Sequence, residues 1–405
     1  MRKEVLIVFL LLIPGTLAAT LYNADSLEAE VKVFGEFTLE PEQTDYQVSE
    51  AKARLFLIPL KDYRQQAVSV DSVGKVQDNE VSFYYEKPAA GVLQYGFSAV
   101  MNTIDKQIEI TEKLPYPLTK LTGFDEYLQR SDIIDSSNPA IVYQASRLAE
   151  GKDDLFDVAF TLAQWTEENI KYNLSSLTSE ASLPASWVLE KRIGVCDEMT
   201  SLFIAMARSL GIPARFVKGM SYTESAIFDR NWLPHGWAEV YFPGIGWVSF
   251  DPTFGEYGFI DVTHIKLRDT ADPGKPDITF EILGYNTNII PGKILSDVSI
   301  RKKGGDIDPV VTLTTTPLRE QVTFGSYNLL SVDLKNNRDH YLATTLSLAA
   351  PPELRLVGRD KKAILLNPGE EKKVNWVVQV PETLEEKYKY TFPYKIFTER
   401  NLSAE

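Results

Sequence analysis

Residues 192–217 read RIGVCDEMTSLFIAMARSLGIPARFV and hold the only cysteine of a 405-residue chain, Cys196. Met199, Leu202, Phe203, Met206 and Leu210 recur at helical spacing, which predicts a helix that starts near Cys196. Gly211 and Pro213 supply the stop, and ARFVKGMSY reads as the strand that follows. A single cysteine cannot close an intramolecular disulfide, so the thiol is either an inert core atom or a reagent. At a helix N-terminus, unpaired N–H groups and the dipole favour an anion, which lowers a thiol pKa and suits an oxyanion. Asp197 and Glu198 fit a first helical turn, although their charges oppose thiolate formation.

A reactive thiol needs a base and a group that orients the base. The chain has three histidines, His235, His264 and His340. His340 falls in a C-terminal β-patterned region. His235 opens the alternating strand HGWAEVYF, PGIG at residues 243–246 is a turn signal, and WVSFDPT returns with Asp251. Side chains of a hairpin share a face only in the right register. Pairing Phe242 with Trp247 would separate His235 from Asp251. Placing Asp251 across from Trp237 or from His235 would bring them to one face. A catalytic role demands one of the latter registers. His264, in DVTHIKL, reads as structural.

Around this segment the chain is organised as three modules. Residues 25–120 carry strand signals (EVKVFGEFTL, ARLFLIPL, EVSFYYE, VLQYGFSAV) and read as a β-domain. Residues 130–300 hold the helical segments PAIVYQASRLAEG and DDLFDVAFTLAQWTEENIKY, the latter with Asp153 or Asp154 as its N-cap, then the cysteine helix and the hairpin. Residues 306–400 return to short alternating strands: Leu330, Val332 and Leu334; Val374, Trp376, Val378 and Val380; and Tyr390, Phe392, Tyr394 and Ile396. These predict an immunoglobulin-like sandwich. The first residues, MRKEVLIVFLLLIPGTLAAT, pair a basic start with a short apolar run, which predicts a signal peptide or N-terminal anchor at 1–19. The expected location is extracytoplasmic, secreted or tethered at the cell surface. Asn173 and Asn401 begin glycosylation sequons.

With 44% hydrophobic residues, 20 Phe, 19 Tyr and 6 Trp, the chain can bury packed cores. A net charge of −14 and no basic run make nucleic acid a poor partner. Five methionines make no metal pattern, and no His/Cys cluster predicts zinc. No cofactor is expected.

GVCDEMTSLFIAMARSLGIPARFVKG followed by HGWAEVYFPGIGWVSFDPT resembles the transglutaminase-like superfamily of papain-type cysteine enzymes, over roughly residues 135–265. The resemblance implies an α+β papain/transglutaminase-like core, with Cys196 as nucleophile, His235 as general base and acid, and Asp251 as the residue orienting the histidine. It implies a protein or peptide substrate and a thioester intermediate at an amide bond, with hydrolysis favoured over cross-linking. The family's further oxyanion donor is not assigned; Trp187 lies near in sequence but reads as core. The loop at residues 223–234 precedes His235 and could cover substrate through Trp232. The alternative is a non-catalytic cell-surface scaffold that retains the module.

Overall fold

Alternation with period two builds the first sheets. In β1 (Ser26–Pro41), Leu27, Ala29, Val31, Val33, Phe37 and Leu39 are buried while the residues between them are largely not. The other early strands are β2 (Gln47–Leu55), β3 (Gln65–Asp71), β4 (Lys75–Gln77), β5 (Glu80–Glu86) and β6 (Gly91–Ile104). The coordinates are a computed structural model that describes residues 21–77, 79–119, 121–176, 183–385, 387–400 and 403–404. The leader read at 1–19 and the sequon at Asn401 lie outside the described residues. Among the described residues, no helix is long and apolar enough to cross a membrane.

The helical segment follows its caps. Asn138 accepts the Ala140 N–H at 3.0 Å to start α1 (Pro139–Ala149), and Asp154 accepts the Phe156 N–H at 3.0 Å to start α2 (Leu155–Asn169). A two-residue parallel pair, β7 (Lys171–Tyr172) with β8 (Ile193–Gly194), brackets α3 (Ala185–Lys191). The cysteine helix is α4 (Cys196–Ser209), closed by Gly211 at φ +76°. It is buried on every side from Glu198 to Arg208, so the amphipathic stripe expected of it is one face of an all-round buried helix. Thr200, Ser201 and Arg208 go inside with it. Arg208 donates to the carbonyls of Ala214, Ala271 and Gln129, which satisfies its buried guanidinium.

α4 packs on a five-stranded antiparallel sheet in the order β12-β11-β10-β9-β13. Its strands are β9 (Ala214–Tyr222), β10 (Trp232–Phe242), β11 (Gly246–Asp251), β12 (Glu256–Tyr257) and β13 (Ile265–Thr270). The chain then returns to the sheets where it began. β14 (Ile278–Tyr285) pairs with β2, while β15 (Thr287–Pro291) and β16 (Leu295–Lys303) pair with the two ends of β1. Aromatic rings join the two early sheets: Phe37 meets Phe280 at 4.7 Å and Tyr85 at 5.7 Å. Strands of residues 278–303 thus pair with strands of the segment read as the N-terminal β-domain. Compactness divides the chain into residues 24–108 with 114–306 as one unit, and residues from 307 onward with 109–113 in the other.

That second unit has two four-stranded sheets. One orders β17 (Val311–Pro317), β18 (Tyr327–Asn336), β22 (Glu371–Gln379) and β20 (Arg355–Val357); the other orders β21 (Lys361–Leu366), β19 (Leu342–Ala349), β23 (Lys395–Thr398) and β24 (Ser403–Ala404). Leu330, Val332, Leu334, Val374, Trp376, Val378 and Ile396 are buried, the alternation expected of them, and most join one core. The strand expected from Tyr390 begins only at Lys395, and Tyr390 is exposed. His340 is buried here, and Asn336 donates to its carbonyl at 2.9 Å.

Leu202, fully buried in α4, is the sharpest probe of this packing. Leu202→Ala should cost about 2–5 kcal/mol in denaturant unfolding; an unchanged midpoint would contradict the buried position.

Candidate active site

The hairpin register decides which side chains meet. Phe242 pairs with Gly246 and Ala238 with Phe250, so the ladder continued by one step sets Asp251 across from Trp237. His235 and Trp237 share a face, and Asp251 is the diagonal neighbour of His235 on that face. The His235 imidazole Nε2 lies 2.6 Å from Asp251 Oδ2. Asp251 Oδ1 accepts the N–H groups of Thr253 at 2.7 Å and Phe254 at 3.2 Å. Burial disfavours this carboxylate, but the charges of and hydrogen bonds from His235 and His264 outweigh it and hold the group far below the usual range. An ionised Asp251 only accepts, so Nε2 of His235 carries the proton of this contact.

Aromatic walls fix the imidazole. Trp237 stacks against His235 with centroids 6.1 Å apart, and Phe254 meets it edge-on at 5.0 Å. Gly219 of β9 makes room for Trp237: a Cβ there would lie 2.6 Å from the indole and 2.2 Å from the Ile265 carbonyl.

Cys196 opens α4, and α4 is seated against the residue after His235. Thr200 Oγ1 donates to the Gly236 carbonyl at 3.0 Å, and a Cβ on Gly236 would lie 2.6 Å from Asp197 Oδ1. Glu198 accepts the Val195 N–H at 3.0 Å, one half of a capping box whose other half Val195 cannot supply. The thiol is partly buried and donates to Asp197 Oδ1 at 3.6 Å. Burial pushes it well above the ordinary thiol range, Asp197 adds to this, and the N–H groups of Gly236 and Asp197 pull the other way. The helix terminus therefore does not make a free thiolate by itself, contrary to the sequence expectation; desolvation and the neighbouring carboxylate outweigh the dipole.

His264, expected to be structural, is fully buried among three carboxylates. Its Nε2 lies 3.1 Å from the same Asp251 Oδ2, and its Nδ1 faces Asp261 Oδ1 at 3.4 Å and Glu256 Oε2 at 3.6 Å. Burial lowers its pKa, but Glu256, Asp261 and Asp251 outweigh this and push it up to about 10. Asp261 is held down to about 2 chiefly by His264 against its burial, while burial and Asp261 raise Glu256 well above the carboxylate range. The signal was present in DVTH: Asp261 caps the Thr263 N–H at 2.6 Å, and the turn delivers a histidine three residues on. Among the described residues two groups have metal-ligand proximity, His235 with Asp251 and His264, and Glu256 with Asp261 and His264, and both share His264.

Other expectations resolve differently. Trp187 is half-buried on α3 and lines a surface cavity with Asn138, Tyr143 and Arg192. Trp232 is the first residue of β10, buried edge-on against Tyr222 at 5.6 Å, so it is not a loop contact. Phe228 in the preceding loop meets Tyr172 of β7 at 6.3 Å. Burial, and then the nearby Cys196, push the Tyr172 hydroxyl up beyond the ordinary phenol range.

Residues 143–252 match the family model of the transglutaminase-like superfamily. The chain carries a transglutaminase-like domain. This domain accounts for α4 and both arms of the hairpin, and the match ends one residue past Asp251. A Bacillus subtilis relative, the uncharacterized protein YebA, is 31% identical over 166 residues, 38% of this chain and 22% of that protein. The protein-glutamine gamma-glutamyltransferase of Pseudomonas aeruginosa is 28% identical over 102 residues, 24% of this chain and 15% of that one. The chain thus spans less than a quarter of the length of these curated relatives. A candidate cysteine protease from Cytophaga hutchinsonii shares the fold of the transglutaminase-like domain, with TM-score 0.50 at 16% identity over 71% of this chain and 94% of that one.

The His264 environment sets a pH signature. A histidine whose folded pKa lies near 10 against 6.5 unfolded gives stability that is complete below about pH 6.5 and is lost as pH rises through about 10. In urea unfolding from pH 7 to 10, His264→Gln should flatten the decline seen for the native chain. Parallel declines would contradict the imidazolium.

Proposed function

We propose that this protein is an exported thiol enzyme that cleaves amide bonds in protein or peptide substrates, with hydrolysis favoured over transfer to an amine. The observation that carries the reading is the 2.6 Å His235–Asp251 contact beside the Cys196 helix terminus. Asp251 orients the imidazole through Nε2 and compensates the charge it gains. Nδ1 of His235 takes the Cys196 proton as the sulfur attacks the amide carbonyl, because burial keeps the resting thiol protonated. First-turn N–H groups of α4 stabilise the oxyanion. Collapse of the tetrahedral adduct breaks the C–N bond, and His235 returns its proton to the leaving amine. Water then adds to the thioester with His235 as base and releases the acid and the thiol. The leader-like sequence supports an extracytoplasmic location, and the strand alternation of the C-terminal unit supports an immunoglobulin-like spacer or docking module.

Incubating the chain with a peptide library, with and without added amine, separates the products by mass: new termini for proteolysis, deamidation for side-chain hydrolysis, amine adducts for transfer. New termini are expected, and Cys196→Ala should abolish them along with labelling by a thiol-directed amide-mimic probe. Equal labelling of the variant would sink the reading. Asp251→Asn should lower kcat by roughly 10²–10⁴-fold.

A further inference from the structure

Asp251 Oδ2 receives two imidazoles, and the chemistry above uses one. The other, His264, rides on a loop gripped from the N-terminal sandwich. Arg64, 2% exposed, donates to the His264 carbonyl at 2.8 and 2.9 Å and to the Asp261 carbonyl at 2.6 Å. Thr103 Oγ1 of β6 donates to the Val262 carbonyl at 2.5 Å. Gln65 closes a reciprocal pair with Lys266, giving Nε2–H to its carbonyl at 2.8 Å and accepting its N–H at 2.8 Å. The Lys266 ammonium, in turn, is buried on Glu239 of β10 at 2.9 Å. Backbone groups of residues 261, 262, 264 and 266 are thereby pinned by three side chains more than 150 residues away. A buried guanidinium directed at peptide carbonyls is a costly way to hold a loop, and it marks a position where drift is not tolerated.

Building on the thiol-enzyme reading, we propose that His264 is a positioning residue for Asp251, held in place by the N-terminal sandwich through Arg64, Gln65 and Thr103. Two donors on one oxygen prevent Asp251 from rotating away from His235. His264 also stands 5.5 Å, ring to ring, from His235, edge-on to it. The titratable groups facing the two rings are Asp251 from β11, Glu256 from β12, Asp261 from the loop, and Cys196 and Asp197 from α4, with Lys218 of β9 against Asp197. Tyr172 and Tyr257 lie further out.

The test is NMR of the imidazole N–H protons in the full chain labelled at histidine. Three histidines make assignment direct by single substitution. The His235 Nε2–H that meets Asp251 should give a downfield resonance in the native chain. His264→Leu, which removes the second donor on Asp251 Oδ2, should cost that resonance through exchange with water, and His264→Gln, which can still donate, should keep part of it. Arg64→Met should weaken the resonance less, and Arg64→Lys should restore part of it. If His264→Leu or Arg64→Met does not fold, Thr103→Val, which removes one hydrogen bond, carries the test. A resonance unchanged in the folded variants overturns the positioning role, whatever the activity. If the resonance is lost but the wild type gives no product with the peptide library, the positioning stands and the enzyme reading falls.

Discussion

A single carboxylate oxygen, Asp251 Oδ2, organises this protein. Asp251 is fully buried and ionised, and a buried charge is tolerated only when its lone pairs are met. Four donors meet them: two backbone N–H groups on Oδ1 and two imidazoles on Oδ2. Each donor imposes a requirement on the surrounding fold. The N–H pair requires the tight turn after β11. His235 requires the hairpin register, and His264 requires a loop fixed from another sheet. Trp237 and Phe254 then exclude water around the rings, and Gly219 and Gly236 give up side chains so that the indole and α4 can approach.

Much of this was legible. The Cys196 helix, its stop at Gly211, the N-cap of α2 and the hairpin arms all follow from periodicity and capping chemistry. The register was the open step, and the glycines of the turn decide it. Gly244 and Gly246 adopt φ of +78° and +117°, and the Ile245 N–H closes on the Phe242 carbonyl at 3.0 Å. Three residues thus span the turn and Phe242 pairs with Gly246. One more residue in the loop would have turned Asp251 to the opposite face.

The parts not legible in the sequence are those that depend on distant pairing. Nothing local marks β14, β15 and β16 as partners of β1 and β2, because strand alternation specifies a buried face and not the strand beside it. The partners of His264 were hidden for a related reason. Its meaning lies in Asp251, thirteen residues back, and in Arg64, two hundred residues back. The fate of the thiol was half legible: Asp197 beside it already opposed a thiolate, whereas the burial that outweighs the helix dipole depends on packing.

The return of β16 to β1 has a consequence for how the chain comes together. Leu27 pairs with Lys303, so the sandwich is closed by residues some 270 positions apart, with the whole transglutaminase-like domain between them. A chain emerging from its N-terminus can pair β1 with β6 early, yet β1 keeps one bare edge until residue 303 has appeared. Such long-range closure is slow, and the bare edge is exposed to wrong partners meanwhile. The sheet that carries His235 lies between the two halves in sequence and therefore emerges before the sandwich can close.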